Sequence, residues 1–344
     1  MTLTASIVSF LASGIVVVGA GTVLARNGDR IAALTNLGGL WVGSVLLALA
    51  TSLPELVTDI AAIRIGADDL AAGDLFGSSM ANMLILALIA LVPAGVDVFR
   101  KAALDHALYA SLAIVMTSIA TVTILMRPTR SLFGVGFGSL LLLITYAGGS
   151  RAVYRHSTLA RKAAETIEMS GVAAEGAEEK PVAVPSLRRA IAMFAAACGV
   201  IIIAAPQFAV AAQGIAETTG IGTTFMGTWL VGFSTSLPEL VTSLAAVRLR
   251  AYDLAVGNLF GSNALNMSIF VLLDVVHGRG PFLGAVSEAH AISGLTAIAL
   301  MGVAIAGVVY RAKGKQTLVE PTSALIIIGY VFGLAMVFIR STAE

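Results

Sequence analysis

Two glutamates stand where a charge is hardest to keep. Glu55 follows Thr51-Ser52-Leu53-Pro54, Glu239 follows Thr235-Ser236-Leu237-Pro238, and each lies deep in an otherwise apolar stretch. A carboxylate inside a membrane-length apolar segment is costly unless a cavity, a partner or an ion faces it. A protonated glutamate bonded to a neighbouring helix is the plain alternative, and the recurrence of the same residue at the same place weighs against it. Pro54 and Pro238 each remove one helical hydrogen bond and clash with the carbonyl four residues back, that of Ala50 or Ser234. Carbonyls freed at bilayer depth are tolerated only where protein, water or ions satisfy them. One such proline reads as a packing kink. Two, each with Thr-Ser before it and Glu after it, read as a break that coordinates a cation.

The segment after each glutamate adds small oxygen donors. Asp74, Ser78, Ser79 and Asn82 have Asn258, Ser262, Asn263 and Asn266 as counterparts. Ser78 and Asn82 are four residues apart and share a helix face, as do Ser262 and Asn266. Any one of these alone reads as an interhelical hydrogen bond; two matched sets near glutamates read as ligands. The repeats hold no thiol or imidazole, since the histidines are at 106, 156, 277 and 290. An all-oxygen set suits hard cations such as Ca²⁺, Mg²⁺ or Na⁺ and not Zn²⁺ or Cu⁺. Two glutamates carry a charge that one Ca²⁺, two Na⁺ or two protons would neutralise equally.

The elements that position these residues follow from composition. Of 344 residues 58% are hydrophobic and 12% charged, with a mean hydropathy of +0.93. A soluble domain carries about 25% charged residues, so soluble enzymes, nucleic-acid binders and disordered scaffolds are excluded. The net charge of +1 names no polyanionic partner. Cys198 is the single cysteine and has no partner for an internal disulfide. At roughly 20 apolar residues per membrane crossing, the chain divides into ten spans. They are 3–25, 39–65, 69–92, 103–126 and 131–149, then 189–212, 221–248, 253–274, 287–310 and 321–339. The first lacks a basic leader and is read as an uncleaved span. The polar stretch between the sets is expected to begin as a surface helix and continue as a flexible linker.

With the N-terminus outside, sixteen of the 21 basic residues fall on the inner side. The positive-inside rule then puts both termini outside and the central loop in the cytoplasm of a multi-pass plasma-membrane protein. Residues 52–83 and 236–267 align without gaps, 21 of 32 positions being identical at an offset of 184. Five spans separate the copies, so the second enters the membrane from the opposite side. Inverted repeats of this kind build transporters with a midplane site.

These residues resemble the two alpha-repeats of the sodium/calcium exchanger family, of prokaryotic type, within the cation/calcium antiporter superfamily. The matching text is ATSLPEL with GDLFGSSMAN, and STSLPEL with GNLFGSNALN. The resemblance implies an all-α integral membrane protein of ten transmembrane helices in two inverted five-helix repeats, residues 1–150 and 188–344, joined by a cytoplasmic linker at 151–187. Helices 2 and 7 are expected to break at Ser-Leu-Pro-Glu, and helices 3 and 8 near Gly-Ser. Glu55 and Glu239 would be the central ligands shared by Ca²⁺ and Na⁺. Thr51, Ser52, Thr235 and Ser236 would add hydroxyl or carbonyl oxygens, Ser78 and Ser262 side-chain oxygens, and Ala48 and Gly232 backbone carbonyls. Asn82 and Asn266 match the end of the second motif.

Two departures stand out. Relatives of this type can carry Asp at the position of Asn266, and Asp74 replaces the usual Asn of its motif. Asp59, paired with Ser243 in the other copy, is a further asymmetric carboxylate. The expected activity is Ca²⁺/Na⁺ antiport, with H⁺-coupled antiport of Ca²⁺ or another divalent cation as the alternative and a passive cation channel as a remote one. Transported cations and the bilayer are the only partners expected, with no cofactor. An intramembrane enzyme is disfavoured, because no HExxH pair is present and the repeated serines lack a histidine in the repeats.

Overall fold

The structure, a computed structural model, describes residues 2–35, 42–92, 98–101, 105–170, 186–220, 222–248, 250–310 and 321–341. Beyond one short hairpin, its regular elements are helices. The first half carries α1 (Leu3–Thr35), α2 (Ala48–Thr51), α3 (Leu53–Arg64), α4 (Asp68–Leu91), α5 (Asp105–Met126) and α6 (Phe137–Ser170). The second carries α7 (Leu187–Thr219), α8 (Gly232–Thr235), α9 (Leu237–Arg248), α10 (Tyr252–His277), α11 (His290–Tyr310) and α12 (Pro321–Ser341). Single short turns at Val98–Lys101, Thr223–Met226 and Phe282–Ala285 lie between them. The long helices of the second half follow the order of those of the first.

Among the described residues eight helices are long and apolar enough to cross a membrane, or nine if one bent pair counts as a span. The predicted span at 131–149 is the one that differs. Its first residues form a hairpin in which Ser131–Leu132 pairs antiparallel with Val135–Gly136. Phe133 and Gly134 turn it with positive φ, 52° and 85°, as a two-residue hairpin requires. Helix α6 therefore starts at Phe137, and only thirteen residues precede the polar run that opens at Ser150. The helix continues to Ser170, where a surface helix was expected; the rest of the expected linker, 171–185, lies outside the described residues.

Helix α4 is the most enclosed span, 83% buried, against 28% for α12. The exposed apolar side chains of outer helices, such as Ile15, Ile203 and Ile328, form the surface that hydrocarbon would cover. Helix α1 lies along α7, and this pair rests on α3 and α9. Helices α4 and α10 occupy the centre, each packed on elements of both halves.

The expected breaks at Ser-Leu-Pro-Glu are present. Ser52 (φ −85°, ψ 6°) and Ser236 (φ −81°, ψ 4°) leave helical geometry at matching places. The chain bends by 43° between Gly43–Thr51 and Leu53–Arg64. Pro54 then lies in the first turn of α3, where a missing N–H costs least. Just before each break the backbone widens into a π-helical stretch, Val42–Leu47 and Gly227–Val231, a feature frequent at functional sites.

The expected interruptions near Gly-Ser are absent, and this corrects the sequence reading. Helices α4 and α10 run unbroken through Gly77-Ser78 and Gly261-Ser262. The glycines serve close packing instead. A Cβ on Gly77 would collide with the Thr228 carbonyl, and one on Gly261 with the Ser44 carbonyl. Ser44 and Thr228 are themselves 184 residues apart, so each π-helical stretch sits against the central helix of the other half.

Candidate functional site

Glu55 and Glu239 fall in the first turns of α3 and α9, just past the breaks. Both side chains are fully buried. Oε1 of Glu55 accepts from Ser78 Oγ at 3.1 Å, and Oε1 of Glu239 accepts from Ser262 Oγ at 3.3 Å. Oε2 of each has no partner. Each glutamate is thus oriented by one serine while an acceptor oxygen remains unspent. A buried acceptor left so is expensive, unless a cation takes it.

The two halves interlock around this pair. Ser236 Oγ lies 3.4 Å from Glu55 Oε1, so the break of one half reaches the carboxylate of the other. Thr235 Oγ1 donates to Asp74 Oδ1 at 2.7 Å, and Thr51 Oγ1 lies 3.2 Å from Asn258 Oδ1 in the matching place. The Gly232 carbonyl is approached by Ser236 Oγ at 2.8 Å, Ser78 Oγ at 3.2 Å and Thr235 Oγ1 at 3.4 Å. The Ala48 carbonyl receives the Ser52 N–H at 2.9 Å, with Thr51 Oγ1 at 3.4 Å. Ser52 Oγ is buried without a partner.

Asn82 Nδ2 donates to Asn263 Oδ1 at 2.8 Å, which leaves Asn82 Oδ1 unpartnered. Asn266 is buried with both amide atoms unpartnered. All twelve residues expected at the site therefore lie on the broken segments or the two central helices that face them. Of the two matched polar sets, Asp74 and Asn258 meet threonines of the opposite half, and Asn263 pairs with Asn82. The spacing by four of 74, 78 and 82, and of 258, 262 and 266, puts each of these sets on one helix face. The Asn82–Asn263 bond itself joins residues 181 apart and was not legible in the spacing.

Among the described residues no three carboxylates, imidazoles or thiols converge closely enough to hold one ion. Any coordination shell must be completed by hydroxyl, amide and carbonyl oxygens, as the oxygen-only inventory requires. Such a set suits a hard cation that tolerates irregular geometry, and Ca²⁺ accepts six to eight oxygens.

The chain is similar to known proteins in both sequence and fold. The sequence profile described as sodium/calcium exchanger protein matches residues 5–150 and 189–339. The chain is 30% identical over 242 residues to the uncharacterized membrane protein MJ0091 of Methanocaldococcus jannaschii, covering 68% of this chain and 70% of that protein. It is 31% identical over 247 residues to the inner membrane protein YrbG of Escherichia coli K12, covering 69% of each. A shorter match, 42% over 78 residues, joins 23% of the chain to 22% of the sodium/calcium exchanger MaX1 of Methanosarcina acetivorans. In fold, the chain superposes on a solved sodium-calcium exchanger, NCX_Mj, with a TM-score of 0.64 at 20% identity, covering 97% of this chain and 99% of that one.

Proposed function

The chain belongs to the sodium/calcium exchanger protein family, and from that premise we propose that it is a secondary antiporter exchanging Ca²⁺ for Na⁺ by alternating access. It is a transporter and not an enzyme. The observation that carries the proposal is the glutamate pair. Glu55 and Glu239 are wholly buried, stand in inverted copies of one motif, and each keeps one carboxylate oxygen without a partner. Their combined charge is neutralised by one Ca²⁺ or by two Na⁺, so occupation by one species excludes the other. Mutually exclusive occupancy of one central site is what exchange requires.

In this reading Glu55 and Glu239 are the ligands common to both ions. Ser78 and Ser262 orient them and supply oxygens, Asn82 and Asn266 offer amide oxygens, and Thr51, Ser52, Thr235 and Ser236 line the breaks. The carbonyls of Ala48 and Gly232 complete the sodium positions. Residues 1–150 and 188–344 act as two inverted units whose relative rearrangement opens the site to one face at a time. Residues 151–187 connect them on the cytoplasmic side of the plasma membrane.

Reconstitution into liposomes with radiolabelled Ca²⁺ tests the proposal. An outward Na⁺ gradient is expected to drive Ca²⁺ uptake at symmetric pH. Uptake driven by a pH gradient and indifferent to Na⁺ would replace Na⁺ with H⁺ as the coupling ion. Single-channel currents would mean a pore instead. Glu55→Gln and Glu239→Gln are each expected to abolish exchange; near-normal transport in either variant would remove that carboxylate from the site.

A further inference from the structure

Beside the central site, the two halves differ at one matched pair. In the second half Asn258 Nδ2 donates to Ser243 Oγ at 3.4 Å, a neutral contact between α10 and α9. The positions 184 residues earlier are Asp74 and Asp59, and these carboxyl groups lie within hydrogen-bonding reach of each other. Both are fully buried. Asp74 Oδ1 is served by Thr235 at 2.7 Å, with Ser78 Oγ at 3.4 Å. Asp74 Oδ2 and both oxygens of Asp59 have no partner. Three acceptor oxygens of this pair are therefore buried with no donor, where the other half has a satisfied amide and hydroxyl.

We propose that Asp59 and Asp74 form an additional binding position for a monovalent metal cation, Na⁺, on one side of the central site only. Opposed carboxylates in a buried place require a positive charge between them. A single proton would join one oxygen of each group and leave the third buried without a partner. A metal cation takes all three. Ca²⁺ would demand six to eight oxygens, and this pair offers only three without a partner. Thr235 ties the position to the break of the second half through its bond to Asp74. The occupant is thus coupled to the same segment that reaches Glu55. The role of this ion in coupling rests on the exchange reading; its binding does not.

Equilibrium binding of radiolabelled Na⁺ to the purified full-length protein in Ca²⁺-free buffer tests this directly. The wild type is expected to bind one Na⁺ more per chain than Asp59→Ser/Asp74→Asn, which copies the neutral pair of the second half. Asp59→Asn alone, nearly isosteric, is expected to lose the same ion and decides the matter should the double variant not fold. Equal Na⁺ counts in wild type and variant would overturn the proposal. So would unchanged Na⁺ binding with an altered pH dependence, which would assign the pair to a proton. Failure of the exchange reading shows separately, as absent Ca²⁺/Na⁺ countertransport by the wild type, and leaves the Na⁺ count intact.

Discussion

At the scale of single residues the site is symmetric in plan and unequal in detail. Ser78 Oγ lies within 3.4 Å of Glu55, Asp74, the Gly232 carbonyl and Thr235. Ser262 Oγ reaches Glu239 at 3.3 Å and Thr51 at 3.5 Å. Each hydroxyl has one proton, so Ser78 is a junction through which several groups are held, and Ser262 is not. Both alanine variants are expected to raise the apparent KM for Ca²⁺ in proteoliposome uptake, with Ser78→Ala the more damaging. For Ser262→Ala the loss of one hydrogen bond to a charged group is on the order of 1.5–3 kcal/mol, roughly tenfold or more in affinity. An equal effect of the two substitutions would mean that the contacts of Ser78 to Asp74 and Gly232 contribute nothing.

At the scale of elements, the central helices depend on close backbone approach and on ties between halves. Gly77 and Gly261 let α4 and α10 press on the opposite π-helical stretches. Gly77→Ala and Gly261→Ala put a methyl group into backbone that cannot yield. Overpacking of this kind costs about 1–3 kcal/mol, and a melting temperature lower by several degrees in detergent is expected for each. Unchanged melting would show that the helices separate freely there.

A second device sits at the ends of α10. His290, at the start of α11, bonds Asp69 of α4 at 3.1 Å, and His106, near the start of α5, bonds Asp253 of α10 at 2.9 Å. The histidines are 184 residues apart, and so are the aspartates. Both rings are fully buried and both Nδ1 atoms lack a partner. Asp68, next to Asp69, lies 3.4 Å from His277 at the far end of α10, a helix about 39 Å long from its 26 residues. The two pairs therefore tie one half to the other at opposite faces of the bundle. His106→Leu and His290→Leu each remove one hydrogen bond between the halves, and both are expected to lower thermal stability in a fluorescence melt. Loss at one face and not at the other would mean that the ties are not equivalent.

At the scale of the whole molecule, orientation decides which face each half serves. The bias of basic residues predicts both termini outside and residues 151–187 inside. In intact cells Thr2→Cys, on a Cys198→Ala background, is expected to react with a membrane-impermeant maleimide. Gly176→Cys is expected to react only after permeabilisation. The reverse pattern would invert the molecule.

Much of this protein was legible in one dimension. Hydropathy depends on composition alone, so the membrane class and most spans could be read directly. A repeat of 21 identities in 32 positions survives any folding, so the internal duplication and the matched places of the two glutamates could be read as well. Proline acts on its own backbone, and the breaks at Ser52 and Ser236 fell where Pro54 and Pro238 predicted. Tertiary structure decided what depends on a second chain segment. The family resemblance implied an interruption near Gly-Ser in α4 and α10; both helices instead run on and pack against Thr228 and Ser44. The apolar run expected at 131–149 yielded its first residues, up to Gly136, to a hairpin. The facing of Asp59 and Asp74, the Asn82–Asn263 bond and the matched His–Asp ties join residues far apart in sequence or on different helices. Such contacts exist only once the helices are assembled, because no local pattern encodes which distant side chain completes a buried polar group.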